Sequence, residues 1–162
     1  MTTQTLAAAL LLVPLAAAAQ ERLAVAPLAA PEELTFTGKS LAEAVVKQAG
    51  KQQLTVLGPE ALSQRLGREK HRALADCGAS APCLTALVRA LPVDRVVGGS
   101  LDKLGNAYRV SLVSADVRSG EVISTWEREV PVASRRLAAE VAEAAVQLLR
   151  GMGQGATIGP AR

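Results

Sequence analysis

The side chains of this sequence that could bind a metal or do redox chemistry are its single histidine and its two cysteines. His71, Cys77 and Cys83 follow one another at six-residue intervals, and Asp76 could supply a carboxylate. Zinc-binding cysteines usually lie about two to four residues apart, and thiol oxidoreductases use C-x-x-C, so neither pattern fits. The spacing favours a disulfide between Cys77 and Cys83, a local clip, with metal binding as the alternative.

Two further groups of residues could take part in catalysis. Glu127 and Glu129 are two positions apart, so a strand would place both carboxylates on one face, as in a glycosidase. A predicted neighbour, Arg109, favours a solvated charge cluster instead. The run 98–100 (Gly-Gly-Ser) lacks the nucleophile-elbow and phosphate-loop patterns and leads into a strand, so its glycines predict close packing of a helix on a sheet. The sequence therefore predicts a protein that is not an enzyme and has no cofactor or metal.

The stretch 94–130 has to position these residues, and it has the pattern of three antiparallel strands. Its turn signals are Gly105-Asn106 and Ser119-Gly120, with Gly120 expected in the left-handed conformation. The turns pair Asp102 with Arg109, and Arg109 with Glu129. By the same registers, Leu101 lies opposite Val110 and Leu112 lies near Trp126.

These registers divide the three strands into an apolar and a polar face. The apolar face is predicted to hold Val97, Leu101, Tyr108, Val110, Leu112, Val122 and Trp126. The polar face is predicted to hold Asp102, Arg109, Ser111, Thr125, Glu127 and Glu129. Because one face is apolar, helices are expected mainly on that side, with Trp126 buried beneath the last of them.

The remaining segments alternate between strand and helix patterns. Strands are predicted at 22–28 and 53–57, and helices at 59–74, 83–91 and 133–150. Another helix is predicted to begin at a cap, Thr37 or Ser40, and to end at Gly50. The fold class is therefore α/β (α+β), a two-layer fold with a mixed five-stranded sheet in the order β-α-β-α-α-β-β-β-α.

The first 19 residues have the pattern of a secretory signal peptide, with cleavage expected between Ala19 and Gln20. Residues 20–150 are predicted to form one α/β domain, and residues 151–162 a disordered Gly-rich tail. No later segment is apolar enough to span a membrane, so the mature form is expected to be exported, to the periplasm or beyond, without a transmembrane anchor. An oxidising compartment would also favour the disulfide.

Charge and composition argue against a nucleic-acid partner. The net charge is only +3, with both signs interspersed, and Phe36, Tyr108 and Trp126 are the only aromatic residues. Stacking platforms for bases are therefore not expected.

The pattern of apolar positions and glycines in 94–122, together with Asp116 and the preceding run 54–67, resembles an exported family. That family comprises domains similar to the N-terminal domain of TolB and to CsgG and LpoB. The resemblance implies a non-catalytic envelope module that binds another, unidentified envelope protein. The polar face is the candidate partner surface. The other interpretation is that its charged residues form a stripe that only keeps the sheet in solution. The alternative function is a small-ligand-binding or hydrolytic enzyme that uses the edge near residues 98–100.

Overall fold

A computed structural model describes residues 21–151 of the chain. The predicted signal peptide with its cleavage site at Ala19 and Gln20, and all of the predicted tail except Gly151, lie outside the described residues. The strands are β1 (Leu23–Val25), β2 (Val56–Leu57), β3 (Arg95–Leu104), β4 (Ala107–Asp116) and β5 (Val122–Pro131). The helices are α1 (Thr35–Lys51), α2 (Pro59–Leu66), α3 (Arg68–Asp76), α4 (Ala81–Val88) and α5 (Leu137–Leu149), and a short 3-10 helix (Glu32–Leu34) precedes α1.

The five strands form one mixed sheet in the order β2-β1-β3-β4-β5. Strand β1 runs parallel to β2 and to β3, whereas β3, β4 and β5 are antiparallel neighbours. Parallel neighbours need a crossover, which α1 supplies between β1 and β2, and short turns join the antiparallel strands. The predicted α/β class with a mixed five-stranded sheet is confirmed.

The registers predicted from the two turns are confirmed. Asp102 pairs with Arg109, and Arg109 pairs with Glu129. Leu101 lies opposite Val110, and Leu112 opposite Trp126, also as predicted. Each turn contains a glycine at positive φ, Gly105 at 57° and Gly120 at 75°, a conformation that side chains with a Cβ rarely adopt.

A β-bulge near the start of β5 changes one predicted position. Ser114 pairs with Ser124 but Ala115 pairs with Val122, so Ile123 is an extra residue in β5. Val122 therefore lies on the same face as Ala115 and is 52% exposed. Its predicted place on the apolar face with Trp126 was wrong, because the prediction assumed strict alternation along β5.

Both faces of the sheet carry apolar clusters. The long helices α1 and α5 pack on one face, over residues that include Val97, Leu101, Val110 and Leu112. The three shorter helices pack on the other face, over residues that include Ala24, Val96, Val113 and Ala115. The prediction that helices lie mainly on one face holds for α1 and α5. Helices α2–α4 cover part of the second face.

Several predicted element boundaries were wrong. The single helix predicted at 59–74 is broken at Gly67, whose φ of 82° ends α2 before α3 begins. Helix α1 starts earlier than the predicted caps at Thr37 and Ser40, because the 3-10 helix leads directly into it without a side-chain cap. Trp126 packs against the first cluster but is partly rather than fully buried. Among residues 21–151, no helix is both long and apolar enough to cross a membrane.

Candidate functional site

Part of the second sheet face is left uncovered by α2–α4, and the six predicted partner residues lie there. Arg109, Ser111, Val113 and Ala115 are alternate residues of β4 and so lie on the same face of the sheet. The helices cover Val113 and Ala115. Cross-strand pairing adds residues of β3 and β5 to the same face. We call this surface the open half-face, and it consists of Asp102, Arg109, Ser111, Thr125, Glu127 and Glu129. All but the partly buried Ser111 are exposed.

An arginine between two glutamates dominates the electrostatics of the open half-face. Nη2 of Arg109 donates a 2.8 Å hydrogen bond to Oε1 of Glu129, and Nε lies 3.9 Å from Oε1 of Glu127. The hydrogen bond to Glu129 raises the pKa of Arg109 above its ordinary value. With Asp102, three carboxylates face one guanidinium, which leaves an excess of two negative charges.

The disulfide loop borders this surface. Cys77 and Cys83 are joined, with their Cα atoms 5.5 Å apart. Within the loop, a Cβ built on Gly78 would lie 3.8 Å from the Cβ of Ser100, which pairs with Ser111 of the open half-face. The disulfide loop therefore lies next to the open half-face, beside Ser100. Sequence reasoning missed this relationship, because only the path of the folded chain brings residue 78 to residue 100.

The zinc alternative is not supported. Both cysteine sulfurs are in the disulfide and cannot bind a metal as thiolates. In the part of the chain that the structure describes, no group of three or more His, Cys, Asp and Glu side chains is placed to hold a metal ion. His71 lies in α3 and is partly buried.

Gly98 allows close packing of a helix on the sheet, as predicted, whereas Gly99 allows the close approach of the neighbouring strand β4. A Cβ on Gly98 would come within 2.6 Å of Cδ1 of Leu84 in α4, so the missing side chain lets that helix approach the sheet. A Cβ on Gly99 would collide with the backbone carbonyl oxygen of Ser111. Both positions are therefore tightly packed.

The carboxylates Glu127 and Glu129 lie on one face, as predicted, but both lie close to Arg109 on an open surface. A glycosidase needs its two carboxyl groups on either side of a bound sugar. A groove of about 290 Å³ does exist, but it lies at the opposite edge of the sheet, beside β1, β2 and Arg65. The geometry therefore fits a contact surface better than a catalytic site.

Comparisons with known proteins show similarity in fold and not in sequence. No protein-family model matches the chain, and no curated protein matches it. TolB from Acinetobacter baumannii superposes with a TM-score of 0.54 at 18% identity, covering 81% of this chain and 28% of TolB. Lipoprotein GNA1162 from Neisseria meningitidis gives a TM-score of 0.51 at 17% identity, covering 80% of this chain and 96% of the lipoprotein.

The C-terminal domain of LpoB from Salmonella enterica also matches, with a TM-score of 0.46 at 17% identity over 69% of this chain and 83% of that domain. The similarity to TolB and GNA1162 shows a shared fold. This chain spans little more than a quarter of the TolB chain that it matches.

Proposed function

We propose that this chain is a non-catalytic interaction module of the cell envelope that docks on another envelope protein through the open half-face. The observation that carries the proposal is that α2–α4 cover only part of the second sheet face. The remainder holds a fixed charge array beside the disulfide loop. Its fold similarity to TolB and to lipoprotein GNA1162 supports an envelope role, and the resemblance to CsgG stays a prediction.

A sheet suits this task because its hydrogen-bonded ladder holds side chains at fixed spacings. Glu129 and Arg109 are paired both through the ladder and through their side chains, so their charges are held in place before a partner arrives. Charges arranged in this way mainly determine which partner binds and in which orientation. An exposed ion pair contributes little to folding, so the array can be altered without loss of the fold.

Export is part of the proposal. A signal peptide at residues 1–19 would deliver the chain to the periplasm or the exterior, where the bond between Cys77 and Cys83 can form. Intact mass of protein isolated from its native compartment tests this, with Gln20 expected as the first residue. A chain that retains Met1 would contradict export.

The competing interpretation of the open half-face is a charge stripe that only keeps the sheet in solution. A photo-crosslinking amino acid at Thr125 should trap a specific envelope protein if the half-face is a docking site. The same amino acid at Lys103 is the matched control, since Lys103 pairs with Tyr108 and lies on the opposite face. Equal crosslinking from both positions would contradict the docking proposal.

Charge-reversed variants test the same surface without a reporter group. Arg109→Glu and Glu129→Arg each place like charges opposite one another, and each should weaken capture of the crosslinked partner. The double variant restores an ion pair with reversed polarity, so its fold should be retained while capture stays weak. Full capture by the double variant would show that partner binding does not depend on the positions of these charges.

A further inference from the structure

The outer edge of β5 has no strand beside it in residues 21–151. Strand β5 is ten residues long and pairs with β4 alone, so its other side presents N–H and C=O groups that can accept a further strand. On the half-face side the edge displays Thr125, Glu127 and Glu129, all exposed. On the other side it displays the partly buried Trp126 and, next along, Arg128.

We infer that this edge binds an extended segment of the partner protein in which basic residues alternate with apolar ones. The inference rests on the proposed function, because it specifies the partner segment that the open half-face accepts. Main-chain hydrogen bonds to β5 would provide the affinity, and side chains at alternate positions would provide the specificity.

Charge determines one half of the pattern. Residues of an added strand lie about 5 Å from their cross-strand neighbours, measured between Cβ atoms. Two positions of the segment, two residues apart, would therefore stand beside Glu127 and Glu129. Among residues 21–151, Arg109 is hydrogen-bonded only to Glu129, and the half-face keeps two excess negative charges. Lysine or arginine at both positions is thus favoured, and acidic residues there are disfavoured.

Packing determines the other half. The residue of the segment between these two basic positions points to the opposite face, beside Arg128, and the next such residue stands beside Trp126. Trp126 is partly buried against the cluster beneath α5, together with Tyr108. Arg128 is already paired with Glu140, at 3.5 Å. An apolar residue beside Trp126 would extend this cluster, whereas a charged one would have to be desolvated.

A second copy of this chain fits the edge less well than such a segment. Two β5 strands that pair antiparallel within one continuous sheet must match residues of the same face. Registers centred on Glu127 or Glu129 oppose identical carboxylates, and the register centred on Arg128 opposes two guanidinium groups. A register centred on Trp126 runs into the bulge at Ile123, where regular pairing is interrupted.

The test uses the intact protein and synthetic peptides of alternating lysine and valine. Trp126 is the only tryptophan in the chain, so its fluorescence reports directly on this edge. We expect a saturable blue shift with the lysine–valine peptide and none with a glutamate–valine peptide. Peptides N-methylated at every second residue, in both phases, should include one that does not bind, because strand addition needs the amide N–H groups.

Variants test the charge pairing. Each opposite-charge pair across strands changes affinity by a factor of about 1.5 to 5, so Glu127→Lys with Glu129→Lys, which adds repulsion, should weaken peptide binding about tenfold or more. Glu43→Lys with Glu143→Lys makes the same total charge change on exposed positions of α1 and α5 and should leave affinity nearly unchanged. An equal loss in both proteins would overturn the assignment to β5.

The remaining outcomes separate the inference from the proposed function. Binding of both N-methylated peptides, or no binding of the lysine–valine peptide, overturns strand addition at β5. Light scattering that shows a dimer broken by the Glu127 and Glu129 changes would assign the edge to a second copy instead. If crosslinking from Thr125 succeeds but the lysine–valine peptide does not bind, only this inference is overturned. If the peptide binds but crosslinking from Thr125 fails, the proposed function is overturned.

Discussion

Arg95 at the start of β3 donates a 2.6 Å hydrogen bond from Nη1 to the backbone carbonyl oxygen of Leu149 at the end of α5. Its Nη2 lies 3.1 Å from Oε1 of Glu21. The last carbonyl groups of a helix lack partners within it, and a cation there is favourable. The Arg95 side chain is only 15% exposed, so this contact is largely shielded from solvent.

We expect Arg95→Met to lower the free energy of unfolding by about 1.5 to 3 kcal/mol, the range for a hydrogen bond to a charged group. Amide exchange in the last turn of α5 should become faster, which hydrogen–deuterium exchange measures. Arg150→Met is the control, since Arg150 makes one exposed 3.4 Å hydrogen bond to Gln52. An equal loss in the control would contradict the role assigned to Arg95.

Gly99→Ala should destabilise the protein by about 3 kcal/mol, the upper part of the usual range for overpacking. The reason is that the new methyl group would meet the backbone carbonyl oxygen of Ser111, which cannot move without distorting the ladder. Gly50→Ala is the matched control, because nothing lies within 4 Å of its Cβ and it sits in α1, so stability should be unchanged or rise by up to about 1 kcal/mol. Urea unfolding of both variants measures the contrast.

Loss of the disulfide should cost about 2 kcal/mol, as the chain-entropy model gives for so short a ring. Replacing both Cys77 and Cys83 with serine and measuring urea unfolding tests this. Reductant should lower the stability of the native protein by the same amount and leave that of the double variant unchanged. A reductant effect on the double variant would show that reduction acts elsewhere.

The pKa of Asp116 lies below its ordinary value, chiefly because the backbone N–H of Ser119 donates a 2.7 Å hydrogen bond to Oδ1. A carboxyl with a lowered folded-state pKa contributes stability that is fully present above its unfolded-state pKa. That contribution is lost as pH falls through the folded-state pKa. The free energy of unfolding, measured as a function of pH, should therefore fall less at low pH for Asp116→Asn than for the native protein. An identical fall in both proteins would contradict this assignment.

The sequence was sufficient for the meander because each of its two turns is short and contains a glycine. The turns alone were therefore enough to predict that Asp102, Arg109 and Glu129 lie together, and the strand registers pair them in that way. The bulge at Ile123 was not predictable from the turns, since a single extra residue leaves no distinctive composition. Its consequence was the misplacement of Val122.

The second apolar cluster had a signal that the prediction did not use. Val96 and Val97 are adjacent and apolar, as are Leu112 and Val113, and adjacent apolar residues in a strand mean that both faces are buried.

Burial of Phe36 could not be judged in the same way. It lies in the first turn of α1 and is 82% exposed, although the chain has no other phenylalanine.

The contacts of Arg95 with Glu21 and Leu149 place the two ends of the described chain against one side chain. Joining those ends and opening the chain at the Gly105-Asn106 turn would preserve every strand neighbour in the sheet. The β3–β4 pairing, now the closest in sequence, would become the most distant. Such a circular permutant should reach the same structure but fold more slowly, because its largest hairpin would then require closure of nearly the whole chain.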